Sequence, residues 1–88
     1  MAALFRLQIY TQEDKVFDDA VESIVVPAET GYLGVLAHHA PLVATLGEGN
    51  LTIRTGDEVA EHRLQGGFLE VRDNVATLLV DRLSSLKN

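Results

Sequence analysis

The sequence contains no cysteine and no tryptophan, only two prolines, and few basic residues. Without cysteine the chain can form no disulfide, no thiolate nucleophile and no cysteine-ligated zinc or iron–sulfur site. Seven lysines and arginines against thirteen aspartates and glutamates give a formal charge of −6. Because a negative domain does not attract phosphate groups, the charge disfavours binding to nucleic acid and to anionic lipid.

Long apolar runs are also absent. The longest is Met1–Phe5, far short of the ~20 residues that a membrane-spanning helix needs. Arg6 interrupts the only apolar start, so we expect no signal peptide. The 88 residues, 47% of them hydrophobic, suffice for one folded domain with a modest core. We expect this domain in a reducing, aqueous compartment, associated with a membrane only through a partner.

Apolar residues recur with a period of two along most of the chain, which is the pattern of half-buried strands. Phe5, Leu7 and Ile9 alternate with polar residues, and so do Leu51 and Ile53. Turn signals recur roughly every 8–12 residues, a spacing typical of sandwiches and barrels. No convincing amphipathic helix is present. The predicted fold is therefore an all-β sandwich or flattened barrel that forms a single domain.

Glycine, proline and polar runs mark the predicted ends of strands. Pro27 should end one ladder because it has no N–H to donate. Gly47-Glu48-Gly49 predicts a turn, and Thr55–Glu58 predicts a hairpin turn. Gly66-Gly67 predicts a bulge or a sheet corner. The polar segment Asp81–Asn88 predicts a tail with at most one helical turn.

The usual catalytic constellations are missing from the sequence. His38, His39 and His62 suggest a metal-dependent β-barrel enzyme, but adjacent strand residues point to opposite faces and do not readily share an ion. Asp18-Asp19 and Glu29 lie in turn-like surroundings, which favours a solvated surface over a catalytic pair. We therefore predict no catalytic residue, no cofactor and no metal, and keep the enzyme as an alternative.

A second alternative is a small carrier domain of the biotinyl or lipoyl type. Such a domain needs an exposed lysine at the tip of a hairpin. Lys15 and Lys87 are the only lysines, and neither stands in the Met-Lys-Met or Asp-Lys-Ala type of context that carrier domains show. The sequence thus disfavours this alternative without removing it.

The most informative stretch is Gly31–Leu42, with the sequence GYLGVLAHHAPL. Its chemistry alone predicts a hairpin that exposes Tyr32 and Leu33, an aromatic–aliphatic pair suited to contact with a protein. The stretch also resembles the Gly-x-Leu-Gly-Ile-x-Pro-Gly-His-Ala-Pro-Leu signature of the F-type ATP synthase epsilon subunit. Ala37-His38 replaces the Pro-Gly of that signature, so we expect either an unfavourable φ at His38 or a different turn.

Three further blocks resemble the same family, in register over residues 4–82: Gly47–Ile53, Gly66–Val71 and Asn74–Leu79. The resemblance implies a flattened sandwich of about ten strands over residues 1–83, followed by a short polar tail over 84–88. Most relatives continue into a pair of C-terminal helices that can inhibit ATP hydrolysis and that in some bind ATP. The resemblance implies neither property for these 88 residues.

The resemblance also implies a role as a non-catalytic subunit of the central stalk. Such a subunit binds the gamma subunit and the c ring and couples proton transport to ATP synthesis. Its implied location is peripheral, on the cytoplasmic face of the bacterial inner membrane or, alternatively, on the stromal side of the thylakoid. A lasting gamma interface should bury at least ~800 Å² per partner. The ring-facing loop of the family falls on Glu29, Thr30, Gly31 and Tyr32, and its gamma-facing segment falls on His39, Ala40, Pro41 and Leu42.

Overall fold

Seven β-strands make up the part of the chain described by the computed structural model, residues 3–85. They form one sheet in the order β2-β1-β7-β6-β5-β3-β4. All neighbouring strands are antiparallel except β1 and β7, which are parallel. The strands are β1 (Phe5–Tyr10), β2 (Lys15–Val21), β3 (Ser23–Ala28), β4 (Gly31–Leu36), β5 (Leu42–Thr55), β6 (Glu58–Arg72) and β7 (Val75–Ser85).

The inward faces of the strands meet in a single hydrophobic core. The predicted alternation is confirmed, since Phe5, Leu7 and Ile9 are all buried. One sheet can bury one face in one core only if it curls over itself, and β2 accordingly contacts β5. The structure is all-β, as predicted, and its curled sheet fits the sandwich or flattened-barrel class. The other core residues are Val21, Ile24, Val26, Val35, Leu46, Leu51, Ile53, Leu64, Leu69, Val71, Ala76, Leu78 and Val80.

Gly66 and Gly67 lie within β6, the strand that pairs with both β5 and β7. Both take φ values, 67° and 114°, that favour glycine. The predicted bulge is wrong, because β6 keeps one register with β5 and with β7 on both sides of Gly66, and the predicted corner stays a prediction. The turn predicted at Gly47-Glu48-Gly49 is wrong, since β5 keeps one register with β6 on both sides of Gly47. The strand count is therefore seven rather than ten.

The stretch Ala20–Val26 has the β-branched composition of a single strand but forms parts of two, because the chain changes partners at Glu22. Before this residue β2 pairs with β1, and after it β3 pairs with β4 and β5. Glu22 accepts a hydrogen bond from the Gly56 N–H at 2.7 Å and donates its own N–H to the Arg54 carbonyl at 2.9 Å. These bonds fix the switch that lets the sheet close.

Two predicted strand ends also need correction. Pro27 lies inside β3 and pairs with Tyr32. Its missing N–H is tolerated because the ladder with β5 is irregular between Val25 and Ala28. Residues 81–85 belong to β7 rather than to a polar tail, since they pair with β6. Residues 86–88 lie outside the described range. No helix among the described residues has the length and apolar character needed to cross a membrane.

Candidate protein-docking surfaces

The loop between β4 and β5 is held by a side chain from the turn between β6 and β7. His38 has a φ of 62°, which confirms the unfavourable conformation expected there. Its N–H donates to Asn74 Oδ1 at 2.7 Å, and Asn74 Nδ2 donates to the Leu4 carbonyl at 3.0 Å. Asn74 itself takes a φ of 62°, which asparagine tolerates better than most residues. The loop is therefore anchored to two other segments and presents a fixed shape.

The four residues predicted to face the gamma subunit lie where this loop enters β5. Ala40 and Pro41 are exposed, whereas His39 is half-buried, with its Nδ1 2.8 Å from the Ala40 carbonyl oxygen. Leu42 is also half-buried and packs against the core. The segment thus offers Ala40 and Pro41 to a partner, while Leu42 mostly anchors it.

A larger apolar surface, missed at the sequence level, begins at the next residue. Val43, Phe68 and Leu79 are 72%, 46% and 40% exposed on the outer side of β5, β6 and β7. Phe68 pairs directly with Leu79, and Val43 lies diagonally from Phe68 because it pairs with Glu70. We call these three residues the outer apolar face. The period-two pattern could have revealed Val43, because Leu42, Ala44 and Leu46 turn inward.

A groove joins the predicted gamma-facing loop to the outer apolar face. Pro41, Leu42 and Val43 line one side of it, and the β6 segment Glu70–Arg72 with Asp73 lines the other. The loop and the face therefore form one continuous surface at the start of β5.

The residues predicted to face the c ring form the turn between β3 and β4. Glu29 and Thr30 are exposed between the paired residues Ala28 and Gly31. Gly31 takes a φ of 134°, which requires glycine. The structure therefore gathers the predicted residues on the exposed β3–β4 turn and the start of β4.

Only one member of the predicted aromatic–aliphatic pair is exposed. Tyr32 is 62% exposed, but Leu33 packs against the core. The prediction for Leu33 is wrong because successive residues of β4 point to opposite sides of the sheet.

The two surfaces are close to each other across β5. A second depression is lined by Ala28, Glu29 and Thr30 from the turn, and by Val43–Thr45 from β5. Val43 borders both depressions. The start of β5 thus connects the β3–β4 turn with the outer apolar face.

The other candidate groups do not assemble into a catalytic or metal site. His62 lies in β6, paired with Leu51, far along the sheet from the loop that holds His38 and His39. Within residues 3–85 no group of three histidine, aspartate or glutamate side chains is placed to hold a metal ion. Asp19 accepts a hydrogen bond from its neighbour's N–H, and Glu29 lies on the separate β3–β4 turn.

Asp18 lies between two cations on the outer side of β1 and β2. Its carboxylate is 2.6 Å from both Lys15 Nζ and Arg6 Nε, and a quarter of its side chain (25%) is exposed. Hydrogen bonds from Lys15 and then Arg6 lower the pKa of Asp18 from 3.8 to about 2. The same contact with Asp18 raises the pKa of Lys15. Lys15 is thus engaged in an ion pair, not free at a hairpin tip as a carrier domain requires.

We expect Asp18→Asn to lower the urea midpoint of unfolding slightly at pH 7, because exposed ion pairs contribute little. The folded-state pKa lies below the unfolded value. The ion pairs therefore stabilise the fold above pH 3.8, and this contribution is lost as the pH falls to about 2. Urea titrations from pH 7 to pH 2 should show the two midpoints converging. Asp19→Asn controls for net charge, and a difference that persisted unchanged at pH 2 would contradict the prediction.

The fold and these surfaces define a class of protein, a small all-β domain with exposed apolar surfaces of the kind that protein interfaces bury. Residues 4–85 match the family model of the ATP synthase delta/epsilon chain β-sandwich domain. The chain belongs to this family.

Two curated relatives of the chain are ATP synthase epsilon chains. The chain is 43% identical over 75 residues to the ATP synthase epsilon chain of Leptospira borgpetersenii, covering 85% of this chain and 59% of that one. It is 43% identical over 75 residues to the epsilon chain of Prochloron didemni, covering 85% and 55%. The chain thus spans somewhat over half the length of these curated relatives.

Solved structures agree on the fold. A chain in the cryo-EM structure of the Euglena gracilis mitochondrial ATP synthase, with F1 and c ring, superposes with a TM-score of 0.89 at 25% identity. The match covers 97% of this chain and 55% of that one. A chain of the Tetrahymena thermophila central stalk and c ring gives a TM-score of 0.79 at 18% identity, over 96% and 68% of the two chains.

Proposed function

We propose that this domain is a non-catalytic part of the rotor of an F-type ATP synthase, where it binds the gamma subunit and the c ring. Through these contacts it couples ion transport to ATP synthesis. The observation that carries the proposal is the pair of protein-docking surfaces that meet at the start of β5, in a member of the delta/epsilon family.

The gamma contact is assigned to the outer apolar face together with Ala40 and Pro41. Exposed apolar residues on adjacent strands are the kind of surface that a lasting interface buries. A loop stiffened by Pro41 and anchored through Asn74 loses little entropy on docking. The continuous groove between loop and face extends the predicted gamma-facing segment onto β6 and β7.

The c-ring contact is assigned to the β3–β4 turn, Glu29 to Tyr32. This turn is exposed, and Glu29 offers a carboxylate to a basic side chain on a partner. Its position beside Val43 places it next to the gamma-binding surface. One rigid domain would in this way contact the shaft and the ring together.

A mechanical role fits these surfaces better than chemistry does. The candidate carboxylates do not lie together: Asp18 forms ion pairs on β2, and Glu29 lies on the β3–β4 turn. Lys15 is held by Asp18 rather than presented for modification, while Lys87, the other carrier candidate, lies outside the described residues. The domain would need no cofactor for docking, and it would reach the membrane through the c ring. Its location is then the cytoplasmic face of a bacterial inner membrane or the stromal side of a thylakoid.

The test is binding of the 88-residue chain to its cognate gamma subunit and then to the c ring. We expect stable co-purification with gamma and no inhibition of ATP hydrolysis by the assembled complex. Thr30→Cys should form crosslinks to the loops of the c ring, whereas Asp57→Cys, on the turn between β5 and β6, should not. Failure of gamma to co-purify, or equal crosslinking of both cysteines, would refute the proposal.

A further inference from the structure

Two hydrogen bonds fasten the β3–β4 hairpin to β5 where regular pairing is lost. The β3–β5 ladder is irregular between Val25 and Ala28. Beyond that gap the Glu29 N–H donates to the Thr45 carbonyl at 2.9 Å. On the neighbouring strand, the Tyr32 hydroxyl oxygen accepts a hydrogen bond from the Asn50 N–H at 3.1 Å. These two hydrogen bonds attach the hairpin to β5 near the turn.

The Tyr32 hydroxyl reaches β5 because residue 49 has no side chain. Gly49 is buried, and a Cβ atom there would lie 2.5 Å from Tyr32 Oη and 2.7 Å from Pro27 Cβ. Such distances are too short for real Cβ contacts. The phenol of Tyr32 therefore lies directly over Gly49. Its hydroxyl is hydrogen-bonded to β5 although 62% of the residue is exposed.

We propose that Tyr32 is a positioning residue for the c-ring contact: its hydroxyl latches the β3–β4 hairpin to β5 and holds Glu29 and Thr30 in the orientation that binds the ring. The inference rests on the proposed function and adds separate roles to it: Glu29 and Thr30 contact the ring, and Tyr32 positions them. Because β5 also carries Val43, the latch makes a stiff connection between the ring-binding turn and the gamma-binding face. Without the latch, a smaller fraction of the molecules holds the turn in the orientation that binds the ring. The apparent affinity for the c ring falls in proportion to that fraction.

The test uses the chain bound to its gamma subunit, titrated with purified c ring in detergent. Tyr32→Phe keeps the ring and removes the hydroxyl. We expect its affinity for the c ring to fall about two- to tenfold, the value of one hydrogen bond. Affinity for gamma should not change, whereas a general loss of stability would weaken both contacts. Amide hydrogen exchange at Glu29–Gly31 and Asn50 should accelerate by a similar factor.

Tyr10→Phe is the matched control, because Tyr10 lies in β1, which pairs with neither strand of the β3–β4 hairpin. It should bind the c ring as the unmodified chain does. Tyr32→Ala separates the latch from direct contact by the aromatic ring. If Tyr32→Phe bound normally, with unchanged amide exchange, while Tyr32→Ala lost binding, the ring would be the contact and the latch would be refuted. If the unmodified chain bound gamma but not the c ring, the c-ring part of the proposed function would fail, and this inference with it.

Discussion

Phe68→Glu should weaken binding to the gamma subunit by at least about 30-fold, the factor that corresponds to about 2 kcal/mol at an interface hot spot. Phe68 is the aromatic residue at the centre of the outer apolar face, between Val43 and Leu79. A carboxylate there must lose its hydration when gamma docks, and no cation of this face is available to pair with it. Because Phe68 is 46% exposed in the free chain, the fold should lose less stability than the complex does.

Titration calorimetry with purified gamma measures this loss, and thermal unfolding of the free variant shows that it is folded. Val59→Glu is the matched control. Val59 is 47% exposed on the same strand, near the β5–β6 turn and away from the outer apolar face. It should leave gamma affinity unchanged within about twofold. Equal losses for both variants would show that net charge, and not the outer apolar face, governs binding.

Gly67→Ala should destabilise the fold by at least about 3 kcal/mol, an effect of the size that strain at a glycine-only conformation produces. Gly67 has a φ of 114° within β6. An added Cβ would collide with the Leu79 carbonyl oxygen and lie 2.8 Å from Val80 Cα. These are backbone atoms of the paired strand β7, so they cannot move aside without breaking the ladder that closes the core.

Urea unfolding followed by circular dichroism gives the free energies of unfolding. Gly34→Ala is the control, because Gly34 has no positive φ and a Cβ there meets nothing within 4 Å. Its free energy of unfolding should stay within about 0.5 kcal/mol of the unmodified chain. A loss of less than about 1 kcal/mol at Gly67 would mean that the backbone there relaxes and that glycine is not required.

The local patterns of the sequence predicted the strands but not where they bend or change partners. Alternation placed Leu7 and Ile9 in the core because a strand buries every second residue whatever its neighbours are. It could not show that β5 passes straight through Gly47-Glu48-Gly49, since that depends on a continuous ladder with β6. Nor could it show that the partner changes at Glu22, which depends on bonds to Arg54 and Gly56.

For the docking surfaces, too, some parts could be predicted from the sequence and others only from the structure. The motif resemblance proposed Glu29–Tyr32 and His39–Leu42 as docking residues, because those residues are contiguous in the chain. The outer apolar face could not be found in this way, since Val43, Phe68 and Leu79 come from three strands and only their pairing brings them together. The latch between Tyr32 and Asn50 is equally non-local.

By itself, then, the sequence determined the all-β class, the alternation that fills the core and the family to which the chain belongs. These properties follow from residue type and spacing along the chain. Tertiary structure alone decided the change of strand partners at Glu22, the extent of the apolar surface and the attachment of the β3–β4 turn to β5. Each of these depends on strand register, which is set by contacts between residues that are distant in sequence.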